Sequence, residues 1–310
     1  MKILIIGGTR FTGPFIVKSL YEAGHEITVF HRGKNNMELP GGVKEILGDR
    51  KVLAAHREAF RKISPDVILD MVAVTEEDAM TVMNMFTGMA GRIITVSSQD
   101  VYLAFGIFNN VDNGPLEKMP LTEESPLRRN IYPYRGKITG LDNYDKIMVE
   151  KAVMSEKNLP GTIVRLPMVY GPGDGQHRIC EFLKEMDNKP GPLLIERNRA
   201  RWYLPRGYSE NMAHAITLAV TDEKAAGKIY NAGEEKNLSV MEWASKIAEA
   251  AQWEGEILET EDICDENNYE QDIIVSTEKI RRELGYREIV SFEEGLRRTV
   301  AWDREKQVIL

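Results

Sequence analysis

The chain has 310 residues, 43% hydrophobic and 28% charged, enough to bury one large or two unequal cores and too apolar for a disordered chain. Its net charge of −8 and pI near 5.4 argue against nucleic acid or an anionic membrane as partner and favour a small-molecule substrate. Two cysteines, Cys180 and Cys264, imply neither a disulfide framework nor a metal-ligand pair, so no metal is expected and a reducing cytoplasm suits the chain.

The first apolar run, Ile3-Leu4-Ile5-Ile6, stops at Gly7-Gly8, far short of a signal segment or a membrane span. It reads as a buried strand, Lys2–Ile6. Further strand-like runs follow at Glu26–Phe30, Lys44–Leu47, Asp66–Met71, Arg92–Val96 and Thr162–Pro167, with helical patterns between most of them. That alternation predicts an α/β fold with a doubly wound parallel sheet of Rossmann type. In the first crossover helix, Thr12 is placed to cap the start, Pro14 sits in the first turn and Gly24 marks the stop. The Met-rich helix from Met80 to Met89 reads as core packing or a homodimer face. Residues 103–141 lose periodicity and gain Gly, Pro and Asn, which predicts a functional loop or lid. Beyond Gly171 a helix is expected at His177–Asp187, short strands near Leu193 and Trp202, and helices at Glu210–Thr221, Val240–Ala251, Thr277–Leu284 and Phe292–Arg304. Two domains are therefore expected: 1–170 for the dinucleotide and a smaller mixed 171–310 for the substrate, with the chain free to cross between them.

The loop Gly7-Gly8-Thr9-Arg10-Phe11-Thr12-Gly13 joins the first strand to the first helix, where backbone N–H groups and a positive helix end suit a pyrophosphate. Gly7 permits the turn and Gly13 the close helix approach, while Arg10 replaces the usual middle glycine. Gly7, Thr9, Arg10, Phe11 and Gly13 are the expected contacts, together with Ala73 beyond the fourth strand. Arg32, after the second strand, stands where an acidic residue would favour NAD. Its guanidinium suits a 2′-phosphate, which makes NADP the expected cofactor and NAD the alternative. The alternative for Arg32 is a solvated turn arginine. Asp49, after the third strand, could meet the adenine amino group or cap the following helix.

These segments, with Val96-Ser97-Ser98-Gln99-Asp100-Val101-Tyr102 and Val164-Arg165-Leu166-Pro167-Met168-Val169-Tyr170-Gly171-Pro172-Gly173-Asp174, resemble the extended short-chain dehydrogenase/reductases, which include NAD-dependent epimerases and dehydratases. The resemblance extends to Leu284-Gly285-Tyr286. It implies that Pro167 and Val169 lie near the nicotinamide and that Ser98 is the catalytic hydroxyl. In the family a Tyr four residues before a Lys transfers the proton, and the Lys lowers its pKa and holds the ribose. Here Lys146 and Glu150 keep their places, but Asp142 stands at the Tyr position and no Y-x-x-x-K occurs. The chain thus resembles the atypical members of the group. Tyr144 or Tyr134 is left to carry the proton, with Asp100 as a single remaining acid of the dehydratase pair. Asp142 would lie one helical turn before Lys146 and favour its ammonium. Asp78 stands near the tetrad's Asn position or serves as a first-turn carboxylate.

On the substrate side, Tyr102, His177, Arg178 and Arg206 are the expected contacts. Arg199, Arg201 and Trp202 complete a cluster suited to a phosphorylated or nucleotide ligand, or else a solvated basic edge. The function expected is an NAD(P)-dependent oxidoreductase or epimerase transferring hydride between the nicotinamide and a carbinol or carbonyl carbon of a small substrate, with phosphorylated compounds and nucleotide sugars among the candidates. The alternative is a dinucleotide-binding scaffold or sensor without that chemistry, akin to RNA-binding members of the atypical group, and the incomplete Tyr–Lys motif favours it.

Overall fold

The computed structural model describes residues 1–35, 38–188, 190–261 and 267–307, so Cys264 lies outside the described residues. The first half alternates β1 (Lys2–Ile6), α1 (Gly13–Glu22), β2 (Glu26–His31), β3 (Lys44–Leu47), α2 (Arg57–Ile63), β4 (Val67–Asp70), α3 (Glu76–Phe86), β5 (Arg92–Ser98), α4 (Leu103–Phe108), α5 (Lys146–Met154) and β6 (Gly161–Leu166). Then come β7 (Met168–Tyr170), α6 (Cys180–Asn188), β8 (Leu193–Glu196), α7 (Arg197–Arg201), β9 (Tyr203–Leu204), β10 (Arg206–Tyr208), α8 (Ser209–Thr221) and β11 (Ile229–Asn231). The chain closes with β12 (Leu238–Ser239), α9 (Val240–Ala251), β13 (Ile257–Thr260), α10 (Glu278–Leu284) and α11 (Phe292–Gln307).

Seven strands form one parallel sheet in the order β11-β6-β5-β4-β1-β2-β3, a Rossmann fold. The strand order reverses between β4 and β1, the switch point at whose carboxyl ends such sheets bind ligands. Both faces are covered, and the period-2 alternation of β1 divides them. Ile3 and Ile5 pack with Ile16 and Leu20 of α1 and Ile216 of α8, whereas Leu4 and Ile6 pack with Phe60 of α2, Phe86 of α3 and Val149 of α5. Met83 and Met85 of α3 belong to this second layer. A separate core around Tyr170, Phe182, Trp202 and Trp243 holds α4, α6, α7 and α9 together beside the sheet.

The six expected strands are present within two residues of their expected limits. The seventh, β11, pairs with β6 and brings the chain back to the main sheet after residue 171. Residues 103–141 are not wholly irregular, because α4 opens that stretch. Gly106 sits inside α4 where a Cβ would lie 2.2 Å from Asp112 Oδ2, so a side chain there would have to displace the Asp112 carboxylate. Thr12 precedes α1 but makes no capping bond through its side chain, which leaves the first N–H groups of α1 to other acceptors. No helix among the described residues is long and apolar enough to cross a membrane.

Candidate active site

Two cavities lie along the carboxyl edge of the sheet. The first, of about 560 Å³, is lined by residues that follow β1 to β4: the Gly7–Arg10 turn, His31 and Arg32, Gly48 to Lys51, and Met71 to Val74 without Ala73. The turn is shaped by glycine, with φ of +96° at Gly7 and +83° at Gly8. A Cβ on Gly13 would stand 2.4 Å from the carbonyl carbon and oxygen of Gly8, so α1 packs on the turn only without a side chain there. Arg10 Nε donates to Asn35 Oδ1 at 2.6 Å, and Asn35 Nδ2 donates to Thr9 Oγ1 at 3.0 Å, fixing the turn from outside. Arg10, Arg32, Lys34 and Lys51 all border this cavity, a basic rim on an acidic protein. Asp49 also lines it, and its carboxylate caps the 3₁₀ turn Arg50–His56 by accepting from Lys51 N at 3.0 Å.

Arg50 is the cation that sequence reasoning passed over. It forks onto Asp70 at 3.1 Å and reaches Asp78 Oδ1 at 2.9 Å, so its charge is spent inside the cavity wall. Asp78 is doubly engaged, since it also completes the capping box of α3 with Thr75. That assigns it the first-turn role.

The second cavity, of about 520 Å³, lies beyond β5 and β6 and is lined by Ser98, Gln99, Asp100, Tyr134, Tyr144, Pro167 and Arg178 among mostly apolar side chains. Here the two candidate phenols converge. Tyr144 donates to Asp100 Oδ2 at 2.9 Å and Tyr134 to the same oxygen at 3.2 Å. They come from one turn-rich segment in which Tyr132 (φ +58°), Gly136 and Gly140 adopt left-handed backbone. Arg128 Nε ties down the Asp100 backbone carbonyl at 2.6 Å, and Asp100 N donates to Ser98 Oγ at 3.2 Å. Burial and the Asp100 carboxylate push both phenols above the usual tyrosine range. The family pattern implies the opposite, a phenol lowered by a cation, and the reasons for the difference are burial first and then the anion at bonding distance.

The cation in question is elsewhere engaged. α5 begins at Lys146, with Asp145 as its cap accepting from Ile147 N and Met148 N, so Tyr144 precedes the helix. Lys146 Nζ donates to the carbonyls of Ala73 at 2.6 Å and Val96 at 3.0 Å, stitching the ends of β4 and β5 together. Burial lowers its pKa, opposed by Asp100, Asp70 and Glu150. Asp142 is not one helical turn before it, because the helix has not started; it is exposed and accepts from Gly136 N at 3.0 Å. Ala73 meets Lys146 through its carbonyl and is itself fully buried. Glu150 forms a buried fork with Arg165 at 2.7 and 2.9 Å and accepts from Ser97 Oγ at 2.6 Å.

Several expected contacts sit outside both cavities. Tyr102 is fully buried: its hydroxyl donates to Asn231 at 2.7 Å and accepts from Arg165 at 2.9 Å, which leaves nothing for a substrate. Burial raises its pKa to about 12. His177 turns away, with φ +49°, to bond Asp303 at 2.7 Å and stack on Trp302, with Cys180 within 4.8 Å of both ligand atoms. Arg206 lies under Trp243 and donates to the carbonyls of Leu204 and Leu238. Phe11, with φ +53°, and Val169 pack in the core of the sheet instead of lining a cavity. Arg178 does line the second cavity, but it is held by Asp174 and the Val169 carbonyl, both at 2.7 Å.

Residues 3–233 match the model of the NAD dependent epimerase/dehydratase family. The chain belongs to that family. Relatives include the chloroplast stem-loop binding protein of 41 kDa b from Arabidopsis thaliana, 24% identical over 95% of this chain and 77% of that protein. The dTDP-glucose 4,6-dehydratase of Salmonella typhimurium is also 24% identical, over 97% of this chain and 92% of the enzyme. Among solved structures, UDP-glucose 4-epimerase from Thermotoga maritima, with UDP-glucose, covers 99% of this chain and 100% of its own at a TM-score of 0.73 and 18% identity. Family membership makes a nicotinamide dinucleotide the group to test against the first cavity. The residues there fit it: a glycine turn no Cβ could enter, an uncapped helix start and a rim of four cations.

Proposed function

We propose that this family member is an NADP-preferring oxidoreductase or epimerase that acts on a carbinol or carbonyl carbon of a small molecule. The observation that carries the reading is the meeting of Tyr134 and Tyr144 on Asp100, in a cavity next along the sheet edge from the glycine turn. Gly7 to Arg10 and the start of α1 would hold the pyrophosphate, and Arg32, exposed on the rim, would take the 2′-phosphate. When bound, the nicotinamide supplies or accepts the hydride.

The chain's own part is proton handling. A phenol held above its usual pKa does not ionise by itself, so Tyr144 works as a relay. It accepts the carbinol proton on its oxygen while passing its own proton to Asp100 Oδ2, and reduction runs the same path backwards. Tyr134 holds the shared oxygen in place and Ser98 orients the reacting hydroxyl. Lys146 ties the Ala73 and Val96 carbonyls together behind the site, and Pro167, on the wall of the second cavity, would lie near the nicotinamide half.

A second reading rests on the same lysine, whose ammonium is bonded to two carbonyls inside the protein: a dinucleotide-binding scaffold without hydride transfer. The discriminating experiment supplies NADPH and NADP to the protein in a metabolite extract and maps substrate and product pairs. The enzyme reading expects pairs differing by two hydrogens, or epimers, that vanish in Tyr144→Phe. Tight dinucleotide binding with no converted pair supports the scaffold.

A further inference from the structure

We propose that His177, Cys180 and Asp303 form a binding site for one zinc ion, outside both cavities of the sheet edge. The site stands independently of the dinucleotide reading.

The three residues meet from two parts of the chain. His177 and Cys180 are three apart in the turn that opens α6, where Cys180 N donates to the His177 carbonyl at 2.9 Å, so the turn sets the spacing of the two side chains. Asp303 comes from α11, 126 residues beyond His177, which is why one His and one Cys carry no metal signature in the sequence. One ligand atom of each residue, a ring nitrogen, Sγ and a carboxylate oxygen, lies within 4.8 Å of the other two. Imidazole, thiolate and carboxylate together make the donor set of a borderline-soft divalent ion, and zinc takes all three. Magnesium and calcium take oxygen ligands and have no use for the sulfur.

The surroundings hold these donors ready. Asp303 and Cys180 are buried, while the His177 side chain is 35% exposed and leaves a way in from solvent. The imidazole lies on Trp302 with 15° between the ring planes and bonds Asp303 at 2.7 Å, so the ring is oriented before any ion arrives. A carboxylate so enclosed calls for a counter-charge, and His177 is a full cation only when protonated. A divalent ion answers that charge without a proton. Tetrahedral zinc would set the donors about 3.3–3.6 Å apart. The His177–Asp303 pair then opens from 2.7 Å and the sulfur draws in, both by side-chain rotation. On binding, the Cys180 thiol proton leaves to solvent, one ring nitrogen of His177 coordinates while the other keeps the hydrogen, and water takes the fourth position. His177 stands between Gln176 and Arg178, which both line the second cavity, so the ion would fasten that wall to α11.

The test uses the full chain, reduced with a phosphine, stripped of metal and titrated with Co²⁺ as the spectroscopic stand-in for Zn²⁺. Wild type should bind one ion at about 10 μM or tighter. The complex should show a thiolate-to-cobalt charge-transfer band in the near ultraviolet and the visible bands of a tetrahedral site, all erased by one equivalent of Zn²⁺. The chain has two cysteines, so a band that persists in Cys264→Ser belongs to Cys180, and this arm does not depend on a Cys180 variant folding. Cys180→Ser should lose the band, and His177→Gln and Asp303→Asn should each weaken binding about tenfold or more. Zn²⁺ should also raise the melting temperature of wild type and Cys264→Ser but not that of Cys180→Ser. No thiolate band in wild type, a band lost in Cys264→Ser, or an affinity unchanged in both His177→Gln and Asp303→Asn overturns the proposal.

Discussion

Glu234 is buried three residues beyond β11, where its Oε1 accepts from the Tyr170 hydroxyl at 2.7 Å and from Tyr208 N at 3.2 Å. Burial raises its pKa from 4.5 to about 7 against the pull of those bonds and of Arg206, itself lowered by burial to about 10. A carboxyl raised in the folded state stabilises the fold fully below its free value, and that stability is lost as pH climbs through the folded value. The window therefore runs from 4.5 to about 7. At about 1.4 kcal/mol per unit the loss is ~3 kcal/mol. Glu234→Gln keeps the accepting oxygen and removes the titration. Urea unfolding from pH 4.5 to 8 should show the wild type losing ~3 kcal/mol relative to the variant across that range; the comparison is of slopes, since the buried amide adds a constant offset. Parallel slopes would refute the reasoning and mean that Glu234 is ionised and serves Arg206 as an ion pair.

Gly13→Ala places a Cβ 2.4 Å from backbone atoms of Gly8, so dinucleotide affinity should fall about tenfold or more while circular dichroism keeps the helical signal, as NADPH fluorescence titration would report. Lys146→Met strips two buried carbonyls of their donor, at about 1–3 kcal/mol each before the relief of removing a buried ammonium, and should lower cofactor affinity and turnover together. Tyr144→Phe should lower turnover with affinity nearly intact, as steady-state kinetics beside equilibrium titration would separate. Filter binding to a structured RNA should find no salt-sensitive complex at micromolar protein, since the chain carries a net charge of −8.

The sheet was legible because long apolar runs such as Arg92–Val96 leave one reading, and the glycine turn because its position between strand and helix has a mechanism. β11 was not, since three residues, Ile229–Asn231, carry no period and gain their place by pairing with β6. Nor was α4, a six-residue helix within a Gly- and Asn-rich stretch. At the site, sequence named both phenols and Asp100 separately, but their meeting depends on turns at Tyr132, Gly136 and Gly140 that spacing does not reveal. Arg50, Arg128 and Glu234 were missed for a related reason. Their partners, Asp70, the Asp100 carbonyl and Tyr170, lie 20, 28 and 64 residues away.

The most direct test of the account is calorimetry of NADP and NAD on the wild type and on Arg32→Ala. The account predicts that both dinucleotides bind and that NADP binds roughly ten- to hundredfold tighter, through a guanidinium–phosphate contact of about 1.5–3 kcal/mol that Arg32→Ala abolishes. No binding of either dinucleotide would contradict the central claim outright, and a preference for NAD, or a ratio unchanged in Arg32→Ala, would contradict the assignment of Arg32.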